Sequence, residues 1–255
     1  MKIALLQFDT LWEDKDNNLL TITNEINSLD KEVDLVVLPE MFTTGFTMNP
    51  LFVAEEEQCN TLKSIQKLAL QNDVAIVGSW VVKENEMFYN RLFFVYPNGE
   101  YKTYNKRHLF TLAGEEKVYQ PGNDKLIVEY KGWKICPLVC YDLRFPVYSR
   151  IVNENYDLLI YVASWPDRRI HAWDSLLKAR AIENMSYVVG VNRCGIDPTD
   201  VSYSGHSQVI DYMGEYLLAP IKGISTQMVT LDKTMIEKAR NRFAFLRDAD
   251  VFELK

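Results

Sequence analysis

Histidine is scarce in this chain. Its 255 residues include three, His108, His171 and His206, together with four cysteines, Cys59, Cys136, Cys140 and Cys194. No CxxC pair occurs and no histidine stands near a cysteine in sequence, so no zinc site is expected. Cys136 and Cys140 are placed on one strand, where a rise of about 3.3 Å per residue separates their Cα atoms by ~13 Å, too far for a disulfide. Reduced thiols and a cytoplasmic enzyme are the expectation. Long apolar runs are also missing: nothing approaches the ~20 residues that a membrane span needs. The opening MKIALLQFDT reaches Asp9 after an apolar run too short for a secretory signal, and reads as a strand. Positive charge is outnumbered, 28 Lys and Arg against 35 Asp and Glu, for a net charge of -7. That balance argues against nucleic acid or an anionic membrane as the main partner. There is no glycine-rich nucleotide loop and no metal-ligand cluster, so neither cofactor nor metal is expected. No linker rich in Pro, Gly or Ser divides the chain, and one domain spanning 1–255 is predicted.

What is present is a core. The chain is 47% hydrophobic and 25% charged, a globular composition. Apolar strands alternate with helical spacing. KIALLQF, DLVVLPE and VAIVGSW read as strands, separated by helices marked by Leu19, Ile22, Ile26, Leu29 and by Leu62, Ile65, Leu68, Ala69. RLFFVYPNGEYKTY reads as a hairpin turning at Asn98-Gly99. The second half has a similar rhythm: KICPLVCYD, a short helix after Pro146, DLLIYVASW, a helix through Leu176 to Ile182, YVVGVNRCG, a hairpin around Met213-Gly214, the strand TQMVTLD and a helix over Lys233–Phe243. Buried strands alternating with amphipathic helices predict an α/β fold, sheets covered by helices.

Reactive side chains stand where strands end. DLVVLPE delivers Glu40, PLVCYDLRFP delivers Cys140, and Lys106 follows the hairpin in YNKRHLF. In open α/β sheets, functional groups gather beyond the carboxyl ends of strands. A thiol becomes a strong nucleophile only as thiolate, and its unperturbed pKa is ~8.5. A buried carboxylate can take the proton, and a nearby ammonium favours the thiolate and stabilises an oxyanion. Glu, Lys and Cys together therefore suffice for acyl transfer without histidine. Singly, each has an ordinary structural reading: a small core residue, a cap or solvated charge, and a surface basic cluster with Arg107 and His108.

LPEMFTTGF, YNKRHLF and CYDLRFP, in this order, resemble the three signature motifs of the nitrilase superfamily of carbon–nitrogen hydrolases. GEEKVYQPG, ASWP and KARAIENMSYVVGVNR are similar to its supporting segments, so the resemblance covers nearly the whole chain. CYDLRFPVYSR, YVASWP and the Asp248–Phe252 ending resemble the omega-amidase branch, bacterial members included. The resemblance implies a four-layer αββα sandwich of the nitrilase type. It implies Glu40 as general base, Lys106 as electrophilic stabiliser, Cys140 as nucleophile and the Tyr141 backbone N–H as a second oxyanion donor. Counted back from Pro121-Gly122, Glu115 matches the family's second glutamate, which orients the lysine and the substrate amide; its neighbour Glu116 is the alternative. Glu183 is read as a structural partner around Asp142 or Arg144. His108 is read as shaping the loop after Lys106, and His171 and His206 as helix-start and strand hydrogen-bonding residues. Phe46 and Trp165 are candidate pocket walls.

The activity implied is omega-amidase hydrolysis of 2-oxoglutaramate and 2-oxosuccinamate to the 2-oxo dicarboxylic acid and ammonia through a thioester. Arg144, four residues beyond Cys140, is the candidate holder of the substrate carboxylate. The alternative is a structural ion pair to Asp142 or Glu183, which would shift the role to Arg193 or to donors around Trp165. Other enzyme readings are a nitrilase, a carbamoyl-amide hydrolase or another short-chain amidase, because scaffold does not fix substrate. A binding protein without activity and a papain-like protease are the remaining alternatives; the first is opposed by the intact Glu40, Lys106 and Cys140, and the second requires a histidine partner. The partner expected is a small-molecule amide. The resemblance also implies a homodimer through the helices behind the nucleophile strand.

Overall fold

The computed structural model describes residues 1–152 and 156–253. The first part of the chain forms β1 (Lys2–Gln7), α1 (Lys15–Ser28), β2 (Leu35–Val37), α2 (Pro50–Val53), β3 (Glu55–Glu56), α3 (Asn60–Asn72), β4 (Ala75–Glu84), β5 (Met87–Val95) and β6 (Tyr101–Asn105). Then follow β7 (Val128–Tyr130), β8 (Trp133–Val139), α4 (Pro146–Ser149), β9 (Leu158–Ala163), α5 (Ile170–Asn184), β10 (Tyr187–Asn192), β11 (Cys194–Ile196), β12 (Ser202–Ile210), β13 (Tyr216–Lys222), β14 (Ser225–Thr230) and α6 (Lys233–Phe243).

The strands make two seven-stranded sheets, ordered β14-β1-β2-β4-β5-β6 with β3 beside β4, and β11-β12-β10-β9-β8-β7 with β13 beside β12. Each is centred on three parallel strands, β1, β2 and β4 in one and β8, β9 and β10 in the other. The period-2 alternation of strand side chains sorts the first sheet into two faces. Ile3, Leu5, Leu35, Val37, Ala75, Val77, Leu92 and Phe94 share a core with the second sheet. Ala4, Leu6, Val36, Ile76, Phe93 and Val95 pack instead against Ile22 and Ile26 of α1 and Leu62, Ile65 and Leu68 of α3. The outer face of the second sheet is covered by Trp173, Leu177 and Ala181 of α5 and by Ile236 of α6. Gly190 lets α5 approach: a Cβ there would stand 2.5 Å from a Leu177 methyl and 2.8 Å from the Trp173 ring. The layers are helix, sheet, sheet, helix, the αββα sandwich that the motifs imply.

Two strands differ from the sequence reading in ways that matter for the site. DLVVLPE is paired only over Leu35–Val37. Beyond it, Leu38 and Phe42 donate single hydrogen bonds to the carbonyls of Val77 and Ser79, 2.8 and 3.1 Å, and the chain turns with Glu40 at the sheet's carboxyl edge. YVVGVNRCG breaks at Arg193, between β10 and β11. There Cys194 N–H donates to the Phe8 carbonyl at 3.0 Å, joining the second sheet to the loop after β1. The early strand and the last one are joined as well, since Lys2 lies opposite Thr230 in the β1–β14 ladder.

Candidate active site

Glu40, Lys106, Cys140 and Ser164 each follow the carboxyl end of a strand, β2, β6, β8 and β9. The sandwich brings these four ends together across both sheets. Glu40 is fully buried, at 0% exposure. Its Oε1 accepts from Lys106 Nζ at 2.9 Å and from Asn90 Nδ2 at 2.8 Å, and its Oε2 accepts from the Ser164 backbone N–H at 2.9 Å. Lys106 Nζ donates also to both oxygens of Glu115, at 3.0 and 2.9 Å. Glu115 is held in turn by the Phe110 backbone N–H, 2.6 Å from its Oε2. Of the two loop glutamates, Glu115 is fully enclosed against Lys106 and Glu116 is exposed. The ammonium also stands 5.1 Å from the centre of the Phe46 ring.

Cys140 opens a short 3₁₀ helix, Cys140–Arg144, and has a left-handed backbone, φ +43°. A non-glycine residue there is strained and must be held by its surroundings. Asp142 supplies the hold. Its Oδ2 accepts from Val139 N–H at 3.0 Å and from the Tyr104 hydroxyl at 2.8 Å; its Oδ1 accepts from His108 N–H at 3.0 Å and lies 2.8 Å from His108 Nδ1. This carboxylate therefore ties the Cys140–Arg144 turn to the loop that carries Lys106. Tyr141 lies in the first turn of the 3₁₀ helix, where backbone N–H groups lack intrahelical acceptors.

Burial raises the Cys140 thiol well above its ordinary pKa, the Glu40 charge and a hydrogen bond to Glu40 add to the rise, and Lys106 opposes it. Burial and Glu40 thus both favour the thiol form of Cys140. Burial would lower the Lys106 pKa, yet the charges of Glu115 and Glu40 raise it above the ordinary value, so the ammonium is kept. Burial raises Glu115, with Lys106 opposing and the Glu40 charge adding to it. A neutral thiol, a base in contact with it and a retained cation can together move a proton and stabilise a developing oxyanion.

Cys140, 9% exposed, opens into a cavity of about 600 Å³ whose walls include Phe46, Tyr141, Trp165 and Arg144. Glu40, Lys106 and Glu115 lie behind it. The Arg144 guanidinium stands 5.0 Å from the centre of a Trp165 ring. The structural ion pair considered for Arg144 is not formed with either acid. Asp142 is occupied by three donors and by the His108 ring beside it, and Glu183 instead accepts from Arg180 at 3.1 Å, three residues away on the same helix. Glu183 therefore touches neither Asp142 nor Arg144 directly, but its partner Arg180 donates to the Leu143 carbonyl between them at 2.6 Å, which keeps Glu183 a structural residue of the surroundings the sequence pointed to.

Arg193, the fallback for the carboxylate, is 1% exposed and does not line the cavity; its Nη2 donates to Asp9 Oδ1 and the Thr10 carbonyl at 3.1 and 2.9 Å and its Nε to the Cys194 carbonyl at 3.2 Å, while its buried Nη1 has no hydrogen-bond partner among the described residues. His171 is an exposed residue in the first turn of α5, and His206, on β12, faces Asp174 with Nδ1 3.0 Å from Oδ2. Three supporting groups escaped the sequence reading: Asn90, the Ser164 N–H and Asn192. Asn90 and its neighbour Arg91 are both buried in the otherwise largely apolar β5, and only Asn90 turns to Glu40. Asn192 grips Trp165 from both sides, accepting from its N–H at 2.7 Å and donating to its carbonyl at 2.9 Å.

Comparison with known proteins agrees with this architecture. The carbon–nitrogen hydrolase family profile matches residues 2–241. Omega-amidase YafV of Escherichia coli K12 is 40% identical over 257 aligned positions, covering 100% of this chain and 98% of its own. The 2-oxoglutaramate amidase of Bacillus subtilis is 36% identical over 219 positions, 84% of each chain. The crystal structure of a CN-hydrolase superfamily protein from Xanthomonas campestris superposes with a TM-score of 0.96 at 37% identity, covering 100% of this chain and 99% of that one. Sequence and fold thus place this chain in the carbon–nitrogen hydrolase family.

Proposed function

We propose that the protein is an omega-amidase that hydrolyses the terminal amide of a 2-oxo dicarboxylic acid monoamide, 2-oxoglutaramate or 2-oxosuccinamate. The observation that carries the reading is Arg144: a guanidinium on the wall of the cavity that holds Cys140, with no carboxylate of the described residues paired to it. A buried carboxylate needs such a donor. The substrate's carboxylate rests on Arg144, which sets the far amide against the thiol. Full-length likeness to omega-amidases supports the same substrate class.

In this reading Glu40 takes the Cys140 proton as sulfur attacks the amide carbon. Lys106 and the Tyr141 N–H hold the oxyanion. Protonated Glu40 gives its proton to the leaving nitrogen; the C–N bond breaks, ammonia departs and a thioester remains on Cys140. Glu40 then takes a proton from water, which attacks the thioester, and the sulfur leaves as the acid forms. Two steps replace direct attack of water on a resonance-stabilised amide. Glu115 fixes Lys106 between the two carboxylates. The Phe46 and Trp165 rings wall the site.

Pairing into a homodimer behind the nucleophile strand is supported by exposed apolar residues around α4 and the C-terminal segment, Val147 at 50%, Phe245 at 56% and Val251 at 86%. Light scattering coupled to size exclusion checks it. The activity is tested by steady-state ammonia release from oxo-acid amides, simple amides and nitriles. Turnover of the oxo-acid amides above all others is expected; preference for a nitrile or an uncharged amide would replace this reading.

A further inference from the structure

Arg144 is not the only guanidinium in the cavity that lacks a carboxylate. Arg169 lines the same space. Its guanidinium lies 4.9 Å from the centre of the Phe110 ring. Among the described residues its side chain makes neither an ion pair nor a hydrogen bond, although its backbone is firmly held: its N–H donates to the Pro166 carbonyl at 3.0 Å and its carbonyl accepts from Trp165 Nε1 at 2.8 Å. The acids that line the cavity are engaged elsewhere. Glu13 accepts from the Thr47 hydroxyl at 2.5 Å. Asp197 accepts from the N–H and hydroxyl of Thr199, from Val201 N–H and from the Tyr203 hydroxyl, at 2.8, 2.7, 3.1 and 3.0 Å.

Both guanidinium groups are mounted rigidly. Arg144 lies over Trp165, which Asn192 clamps; Arg169 lies over Phe110, whose N–H is bound to Glu115. Trp165 links the two, since its ring carries one arginine and its Nε1 holds the carbonyl of the other. Burial and the like charges of Arg168 and Arg144 lower the Arg169 pKa, whereas a negative charge on Cys140 would raise it. Arg169, Arg144 and Cys140 line the same cavity, so a substrate that spans from Cys140 to Arg144 passes through the space that Arg169 faces.

The atom between those ends that varies among natural amides of this length is C2. A 2-oxo acid amide carries a carbonyl oxygen there, an acceptor. The corresponding 2-amino acid amide, with the same carboxylate, length and scissile bond, carries an ammonium. We infer that Arg169 is a specificity residue that reads C2, donating to the 2-oxo oxygen and repelling a 2-ammonium, so that oxo-acid amides are cleaved and their amino-acid counterparts are spared. The inference rests on the omega-amidase reading, with the carboxylate on Arg144. Arg169 would form with Arg144 a pair of forks around adjacent oxygens, the geometry guanidinium groups suit.

Three amides identical except at C2 test it: 2-oxoglutaramate, glutaramate with a methylene there, and glutamine. Arg169→Gln should lower kcat/KM for 2-oxoglutaramate about tenfold or more, as for loss of a charged hydrogen bond. Glutaramate should lose less than about threefold, and glutamine should be unchanged or improved, since no donor to it is removed. Arg169→Lys keeps the charge and should still exclude glutamine while losing part of the oxo-acid rate, an outcome a merely structural role would not produce. Melting temperature and the alkylation rate of Cys140 check that the variants are folded. Should Arg169→Gln not fold, the lysine variant decides: gain of glutamine turnover in it would overturn the charge-based exclusion. Equal losses on all three amides would show that Arg169 does not read C2. Failure of the wild-type protein to cleave 2-oxoglutaramate would instead overturn the omega-amidase reading, and this inference with it.

Discussion

The Asp142 carboxylate reaches back to the backbone N–H of Val139, 3.0 Å away, closing a loop around Cys140. The left-handed backbone of Cys140 sits inside that loop, and the same carboxylate accepts from the Tyr104 hydroxyl and the His108 N–H. Asp142→Asn turns one acceptor oxygen into a donor facing an N–H or O–H. A cost of about 2 kcal/mol is expected for disrupted charged hydrogen bonds, which lowers the melting temperature by roughly 4–8 °C in a chain of this size. Turnover should fall as well, because the sulfur is no longer aimed. Calorimetry and ammonia release measure both; an unchanged melting temperature would contradict the anchoring role.

The thiol's proton is the next test. Glu40 raises the Cys140 pKa by charge and by hydrogen bonding, and Lys106 lowers it. Glu40→Gln removes the first influence, so the thiol pKa falls and iodoacetamide reacts faster at pH 8. Turnover nevertheless collapses, because no base remains for either step. Lys106→Ala moves the thiol pKa the other way, and alkylation slows. Alkylation rates that shift together in the two variants would refute the opposing roles.

Lys106→Ala should also reduce turnover by about 10²–10³-fold, as for loss of an oxyanion donor. Lys106→Arg should not restore it, since a planar fork cannot replace a compact ammonium between Glu40 and Glu115. Rapid acid quench followed by intact-mass measurement on a slow amide should show acyl-Cys140 in the wild-type protein and none in Cys140→Ala.

Glu115 is the largest influence raising the Lys106 pKa. With Glu115→Gln that pKa falls toward its ordinary value or below, so the ammonium is lost at lower pH. The alkaline limb of the kcat/KM profile should move down in pH, with the protein still folded by circular dichroism. An unmoved limb would mean that Glu115 does not sustain the cation.

Arg144→Lys keeps charge but loses the fork. kcat/KM for 2-oxoglutaramate should fall ~10-fold or more, the value of a charged hydrogen bond. A small amide without a carboxylate should lose much less, and equal loss on both would assign Arg144 a supporting role only.

Strand order along the chain, helical faces and the strand-end positions of Glu40 and Cys140 were legible in the sequence, because apolar periodicity and chain position are local properties. The motifs supplied the family. Other features depended on residues far apart in the chain. Whether Glu115 or Glu116 reaches Lys106 was fixed by which of them the loop buries. Asn90 joins Glu40 across 50 residues, and the Ser164 N–H does so across 124. Arg144 and Arg169 share one cavity, and Trp165, locked by Asn192, touches both, the guanidinium of one and the backbone carbonyl of the other. A one-dimensional pattern states which side chains leave a strand and on which face; it does not state which strand end lies opposite. That pairing comes from packing two sheets face to face, and in this protein it decides which charges are neutralised and which remain free to meet a substrate.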